Sequence, residues 1–338
     1  MLLSRTHPFL TLVISEVAGL MKSKARNSIA SAWALVLLGL GLVSDGVSAQ
    51  PQGGAQVSIE SQDASGTHIL LNAMLWTPPG TAKGAVVLVH GSSGWTDYTV
   101  GHYGRALSAA GYAALAFDAF GARGVGSTGN DQTQVTAMQM TRDAYAARQF
   151  LLGRGFKSDR LGVMGFSKGG LAAMQAADRN FVPEQTERFE VAIPFYPGCP
   201  VHPRVPKPVS KVFMGLGEKD DYTGVKPCQD LAEDYRRAGG TITVKVYPDA
   251  SHGFDGNPEN TRMIQFRTVE NFMGCVVFLE EDGQVVQDGK RYRPDDAALV
   301  VELRKTCVTK GASMWTNQTQ KAAATHDVID FLDRTFGL

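Results

Sequence analysis

The segment Ala85–His90 reads AVVLVH, with no polar residue before its closing histidine. A strand with one wet face alternates apolar and polar side chains, so a run without alternation belongs to a strand covered on both faces. Strands of that kind occur in parallel sheets, whose crossovers need helices. The chain supplies them. Val57–Gln62 and His68–Leu75 read as an antiparallel pair turning at Asp63–Thr67. Beyond Ala85–His90, strand runs lie at Ala113–Phe117, Leu161–Met164, Val191–Tyr196, Lys211–Gly217 and Thr241–Tyr247. Helix-spaced segments over Gly101–Ala110, Thr133–Leu152, Leu171–Ala177 and Cys228–Arg237 fall between or around them. Lys321–Phe336 closes the chain as an amphipathic helix. The expected class is α/β, a mainly parallel central sheet with helices on both faces. No repeat, low-complexity stretch or linker interrupts it, so residues 50–338 are expected to form one domain. Two runs break the alternation, Val276–Glu281 and Gln284–Arg293 around Asp282-Gly283. They read as a hairpin inserted near residues 275–307, with no role assigned.

Charge narrows the function classes. The 338 residues carry 33 basic and 33 acidic side chains, with 43% hydrophobic and 20% charged residues. That balance excludes a disordered chain, a coiled coil and a polytopic membrane protein, and it argues against nucleic-acid binding. The first 49 residues read differently. Lys22, Lys24 and Arg26 precede an apolar run from Ala32 to Val43, and Val47-Ser48-Ala49 then offers small residues at cleavage spacing. This is the layout of a signal peptide, with translation starting at Met21 and cleavage after Ala49. The competing reading is a membrane anchor or a buried helix, for which twelve residues are short. Cleavage leaves a periplasmic or secreted chain with no stable membrane anchor and a net charge of −2.

All four cysteines lie in the mature part, and none forms a C-x-x-C motif. Cys199 follows the strand Val191–Tyr196, and Cys228 opens a helix after the strand Lys211–Gly217. If those strands are neighbours, the two thiols share one sheet edge and pair, leaving Cys275 with Cys307. The alternative is four free buried thiols.

The chemistry centres on Gly165-Phe166-Ser167-Lys168-Gly169, a complete G-x-S-x-G between a strand and a small-residue helix. Glycines two before and two after the serine let the backbone pass through a turn too tight for bulk, which lifts the hydroxyl clear of the sheet. A serine needs a base, and the base needs an orienting acid. In this strand–turn–helix setting they follow in the order Ser, Asp/Glu, His. Glu218-Lys219-Asp220-Asp221 follows one strand, and Ser251-His252-Gly253 follows the next. His252 is the expected base. Asp220 is the expected acid, with Asp221 as competitor and Glu218 behind it. An oxyanion hole needs two backbone N–H groups. Lys168 would give one and Ser92, in His90-Gly91-Ser92-Ser93-Gly94, the other, with Ser93 as a second option. His90 is read as structural.

The series VLVHGSSG, DAFGARG, GFSKGG, FYPGC, GEKDDYTGVKPC and SHGF resembles the dienelactone hydrolase family of the α/β-hydrolase superfamily, from about residue 70 to His252. The resemblance implies an α/β-hydrolase fold and hydrolysis of small esters or lactones through an acyl-enzyme. Carried across, Ser167, Asp220 and His252 are the catalytic residues, with the Ser92 and Lys168 N–H groups as oxyanion hole. Two departures stand out. The founding members use a cysteine nucleophile, where this chain has Ser167. They also hold a substrate carboxylate with two arginines. Arg123 fits the first place, but His252 is followed by Gly253, Phe254, Asp255 and Gly256, so the second is missing. That argues against dienelactone itself.

Only short loops lie between Ser167 and Val191 and between Tyr196 and Val209, so a minimal cap and an open pocket are expected. Trp95, Phe120, Tyr196 and Tyr222 are candidate walls, beside Arg123. The G-x-G-x-x-G at Gly124–Gly129 stands too far beyond its strand for a dinucleotide site, and no cofactor or metal is implied. The reading is an exported serine hydrolase, a monomer or small homo-oligomer, acting on a small ester or lactone. A serine peptidase or thioesterase on the same residues, or a catalytically silent binding protein, are the alternatives.

Overall fold

The computed structural model describes residues 53–183 and 185–337. The signal-peptide reading of residues 1–49, with its start at Met21, lies outside the described residues. In chain order the elements are β1 (Ala55–Gln62), β2 (His68–Trp76), β3 (Ala85–Val89), α1 (His102–Ala109), β4 (Ala113–Phe117), α2 (Ala137–Gly153), β5 (Leu161–Phe166) and α3 (Lys168–Ala176). They continue with β6 (Val191–Phe195), β7 (Val201–Pro203), β8 (Lys211–Gly217), α4 (Lys226–Arg237) and β9 (Ile242–Tyr247). The last part holds β10 (Ile264–Asn271), β11 (Val277–Leu279), β12 (Val285–Gln287), β13 (Lys290–Tyr292), α5 (Ala297–Thr306), β14 (Thr309–Met314) and α6 (Gln318–Phe336).

Eight strands make the main sheet in the order β1-β2-β4-β3-β5-β6-β8-β9. The β1–β2 and β2–β4 pairs are antiparallel, and every pair from β4 to β9 is parallel. Strands β3, β4, β5 and β6 are buried at every residue, as the unbroken apolar runs require. Alternation then sorts their side chains by face. Val87 and Val89 of β3 join Leu151 of α2, Ala172 of α3 and Leu231 of α4 in one cluster. Val86 and Leu88 join Leu107 of α1 and Leu332 of α6 in the other. Helix α2 starts four residues later than its periodicity suggests. Asp131 folds back onto the Thr133 N–H at 3.1 Å, and Thr136 caps the helix by accepting from the Gln139 N–H at 3.1 Å.

The hairpin near residues 275–307 is part of something larger. Strands β10 and β14 pair antiparallel, and β11, β12 and β13 form a small sheet whose β11 runs parallel to β7. The expected turn is there, with Gly283 at φ 78°, but the second run folds again at Asp288-Gly289, where φ is 49° and 73°. Around it Phe181, Cys275, Val277, Leu279, Val285, Leu299 and Leu303 make a third apolar cluster. The cysteines pair as Cys199–Cys228 and Cys275–Cys307. The first ties the loop between β6 and β7 to α4, and the second ties the segment before β11 to the C-cap of α5. Two such bridges fit an oxidising compartment. No helix among the described residues is long and apolar enough to cross a membrane.

Candidate active site

Ser167 sits between β5 and α3 at φ 55° and ψ −118°, a conformation disfavoured for any residue with a Cβ. The flanking glycines show why the chain tolerates it. A Cβ on Gly165 would lie 1.9 Å from the Gly169 carbonyl oxygen, and one on Gly169 would lie 2.1 Å from that of Val89. The Ser167 N–H donates to Phe195 O at 3.0 Å, and its carbonyl accepts from Leu171 N at 2.9 Å, which fixes the turn to β6 and to α3.

The parallel sheet brings the ends of β8 and β9 to the same edge. His252 Nε2 lies 2.9 Å from Ser167 Oγ, and His252 Nδ1 lies 2.9 Å from Asp220 Oδ2. A carboxylate only accepts, so Nδ1 carries the hydrogen and Nε2 is left to accept from the serine. Both side chains are nearly fully buried, at 4% and 2% exposure. Asp220 is held further by the Tyr222 and Thr223 N–H groups, each 2.8 Å from Oδ1, and by Thr223 Oγ1 at 2.6 Å from Oδ2. Burial raises its pKa, but His252 and these hydrogen bonds outweigh burial and leave it below the usual carboxylate value. Asp221 turns the other way and accepts from Ser313 N on β14 at 2.8 Å. Glu218 accepts from Asp249 N at 3.1 Å. Of the three candidate acids, Asp220 is the one that meets His252.

Ser92 and Lys168 line one cavity with Ser167. The Ser92 carbonyl accepts from Thr128 N at 2.8 Å, and its hydroxyl donates to Gln132 Oε1 at 3.2 Å. Among the described residues neither the Ser92 nor the Lys168 backbone N–H donates to a protein acceptor. The Lys168 ammonium is buried and donates to Thr128 Oγ1 at 2.9 Å, Gln132 O at 3.1 Å and Val135 O at 2.6 Å. Burial pushes its pKa down to about 7, against the pull of Asp131 and Glu270. His90 is structural, as expected. It is buried, its Nε2 accepts from Ala119 N at 3.0 Å, and Nδ1 faces Gly91 O at 2.8 Å. Burial lowers its pKa.

Several expected wall residues are placed elsewhere. Arg123 does not face the cavity. Its guanidinium makes a two-point ion pair with buried Asp143, at 2.7 and 3.0 Å, and also donates to Ala119 O and Gln62 O. The arginine stretch thus anchors β1 to α2. Arg123→Ala should lower stability by about 3 kcal/mol, the usual cost of stranding one buried charge, and urea unfolding checks it. Trp95 stacks on Trp76 at 5.8 Å between ring centroids, and Phe120 packs edge-on against His90. Tyr196 lies behind the imidazole rather than in the cavity. Its ring meets His252 edge-on at 4.8 Å, and its hydroxyl donates to buried Asp255 at 2.5 Å. Tyr222 does line the cavity, its ring edge-on to that of His252 at 4.8 Å between centroids.

The cap is larger than the short loops beside Ser167 suggest: residues 264–314 contribute Phe272, Met273, Val277, Leu299 and Leu303 to the walls of the cavity. The cap enters the chain between His252 and α6, not between Ser167 and Val191. Helix α5 was legible in principle. Asp296 caps it, Leu299 and Leu303 share a face four residues apart, and Arg304 and Lys305 close its last turn. Among the described residues no cluster of three or more His, Cys, Asp or Glu side chains could hold a metal ion.

Esterase 2 of Thermogutta terrifontis, in its apo form, is 18% identical over 61% of this chain and 87% of its own, with a TM-score of 0.47. MGS-M1, an α/β hydrolase from a Medee basin deep-sea metagenome, is 17% identical over 60% of this chain and 85% of its own, with a TM-score of 0.46. No curated protein sequence matches. The model of the dienelactone hydrolase family matches residues 71–270. That match covers more than half of the sequence and takes in Ser167, Asp220 and His252, so the chain belongs to the dienelactone hydrolase family and carries its α/β-hydrolase fold.

Proposed function

We propose that this hydrolase is an exported serine esterase that cleaves carboxylic esters or lactones through an acyl-enzyme on Ser167. One observation carries the reading: an unbroken chain of 2.9 Å contacts from Ser167 through His252 to Asp220, opening on a cavity. His252 Nε2 takes the proton as Ser167 Oγ attacks the carbonyl, and the imidazolium is stabilised by the ionised Asp220. The negative oxygen of the tetrahedral intermediate settles between the Ser92 and Lys168 N–H groups, both fixed before substrate arrives. His252 then protonates the leaving alkoxide and later draws a proton from water to release the acid. The disulfides support export, since cytosolic thiols are kept reduced.

A fluorophosphonate probe tests the nucleophile directly. The mature protein from Gln50 should be labelled at one site, and Ser167→Ala should not be labelled at all. Labelling that persists in Ser167→Ala, or its absence from folded wild type, would sink the serine mechanism.

A further inference from the structure

The cavity beside Ser167 has a volume of about 160 Å³. That is comparable to the roughly 150 Å³ apolar cavity that accepts a benzene ring. Its walls are mostly apolar, from Met138 and Leu171 on the sheet side to Phe272, Leu299 and Leu303 on the cap. The charged groups on those walls decide what may enter. Lys168 is the one cation among the lining residues, and all three of its donors are taken by Thr128, Gln132 and Val135. Glu270 lines the cavity as a buried carboxylate, accepting from Gln132 N at 3.1 Å and from Arg304 Nε at 2.6 Å. Arg304 does not line the cavity and is shared with Asp131 at 2.9 Å. Asp295 adds a second carboxylate to the wall, tied to Arg142 and Arg293 on the outer side.

We infer that the cavity selects an uncharged, compact apolar group of about six carbons, and that Glu270 makes it reject the same group when it ends in a carboxylate. The physical reason is desolvation. An anion entering this mostly apolar space sheds its water, finds no uncommitted cation, and meets the Glu270 carboxylate, whose Arg304 partner lies outside the cavity lining. Arg123, the residue whose position in the sequence suggested a carboxylate clamp, is spent on Asp143 and does not line the cavity. The inference rests on the esterase reading for the placement of the scissile bond, but not for the selectivity of the cavity.

The test separates the two. Ser167→Ala is titrated calorimetrically with hexanoyl 4-nitroanilide and with adipoyl 4-nitroanilide, which differ only in a terminal methyl against a terminal carboxylate. The hexanoyl compound is expected to bind at least 30-fold more tightly, and Glu270→Gln on the same background to narrow that gap at least tenfold. Equal affinities, preference for the carboxylate, no binding of the hexanoyl compound, or a gap untouched by Glu270→Gln would each overturn the inference. Hydrolysis of nitrophenyl hexanoate by wild type is measured in parallel. Selective binding without turnover would leave this inference standing and remove the esterase reading.

Discussion

Ser167→Ala and His252→Ala should each lower kcat/KM for the preferred nitrophenyl ester by roughly 10⁴-fold or more, since the triad acts as a unit. The double variant should be little worse than either single one, because once the serine has no base, or the base no serine, the second loss removes nothing further. The acid offers a sharper discrimination. Asp220→Asn leaves a hydrogen bond to His252 Nδ1 possible but favours the wrong tautomer, and a loss of about 10³–10⁴-fold is expected. Asp221→Asn touches the Ser313 N–H of the cap instead and should cost about tenfold at most. Steady-state rates on folded variants, checked by circular dichroism, decide the matter. Equal losses at the two aspartates, or any serine or histidine variant within tenfold of wild type, would break the proposed assignment.

The contrast between those two aspartates shows where the sequence stops being readable. Strands β3, β5 and β6 announce themselves because burial on both faces leaves no room for polar residues, and that is a local property of each segment. The elbow is just as local: Gly165 and Gly169 are demanded by backbone contacts within a few residues of Ser167 and with Val89 on the neighbouring strand. Asp220 and Asp221 are adjacent, share a charge and leave the same strand. Only the path of the loop, which returns the Tyr222 and Thr223 N–H groups to Asp220, separates them. Arg123 misleads for a related reason. A motif position gives a residue's place along the chain, while its partner Asp143 lies in α2 and its neighbour Ser61 in β1, far apart in sequence. The cap is the largest omission. The runs of β11, β12 and β13 are visible as a hairpin, but at three residues each they do not show what they pair with, and β10 is exposed along most of its length, so no buried face marks it. Such segments are held by the disulfide Cys275–Cys307 and by pairing with β7 and β14, information that no window of sequence contains.

Lys168 should give the protein a pH-dependent stability that its removal abolishes. An unfolded lysine binds its proton up to pH ~10.4. In the folded protein, burial brings this ammonium down to about 7. Below pH 7 it is charged in both states, and the full penalty of burying it is present. Above pH ~10.4 it is neutral in both, and the penalty is gone. Between those limits the unfolded chain binds more protons than the native one, so the free energy of unfolding rises with pH. A shift of this size corresponds to a gain of order 4 kcal/mol across the window, at 1.36 kcal/mol per pH unit. Lys168→Met keeps the bulk of the stem and removes the titration. Buried tyrosines such as Tyr103 and Tyr235, whose pKa burial raises, are common to both proteins and cancel in the difference. Urea unfolding of wild type and Lys168→Met at pH 7, 8.5 and 10, with the disulfides kept oxidised, should therefore show wild type gaining on the variant as pH rises. Parallel curves would mean that the three oxygens of Thr128, Gln132 and Val135 hold the ammonium charged throughout, in which case hydrogen bonding, not burial, governs the one cation lining this cavity.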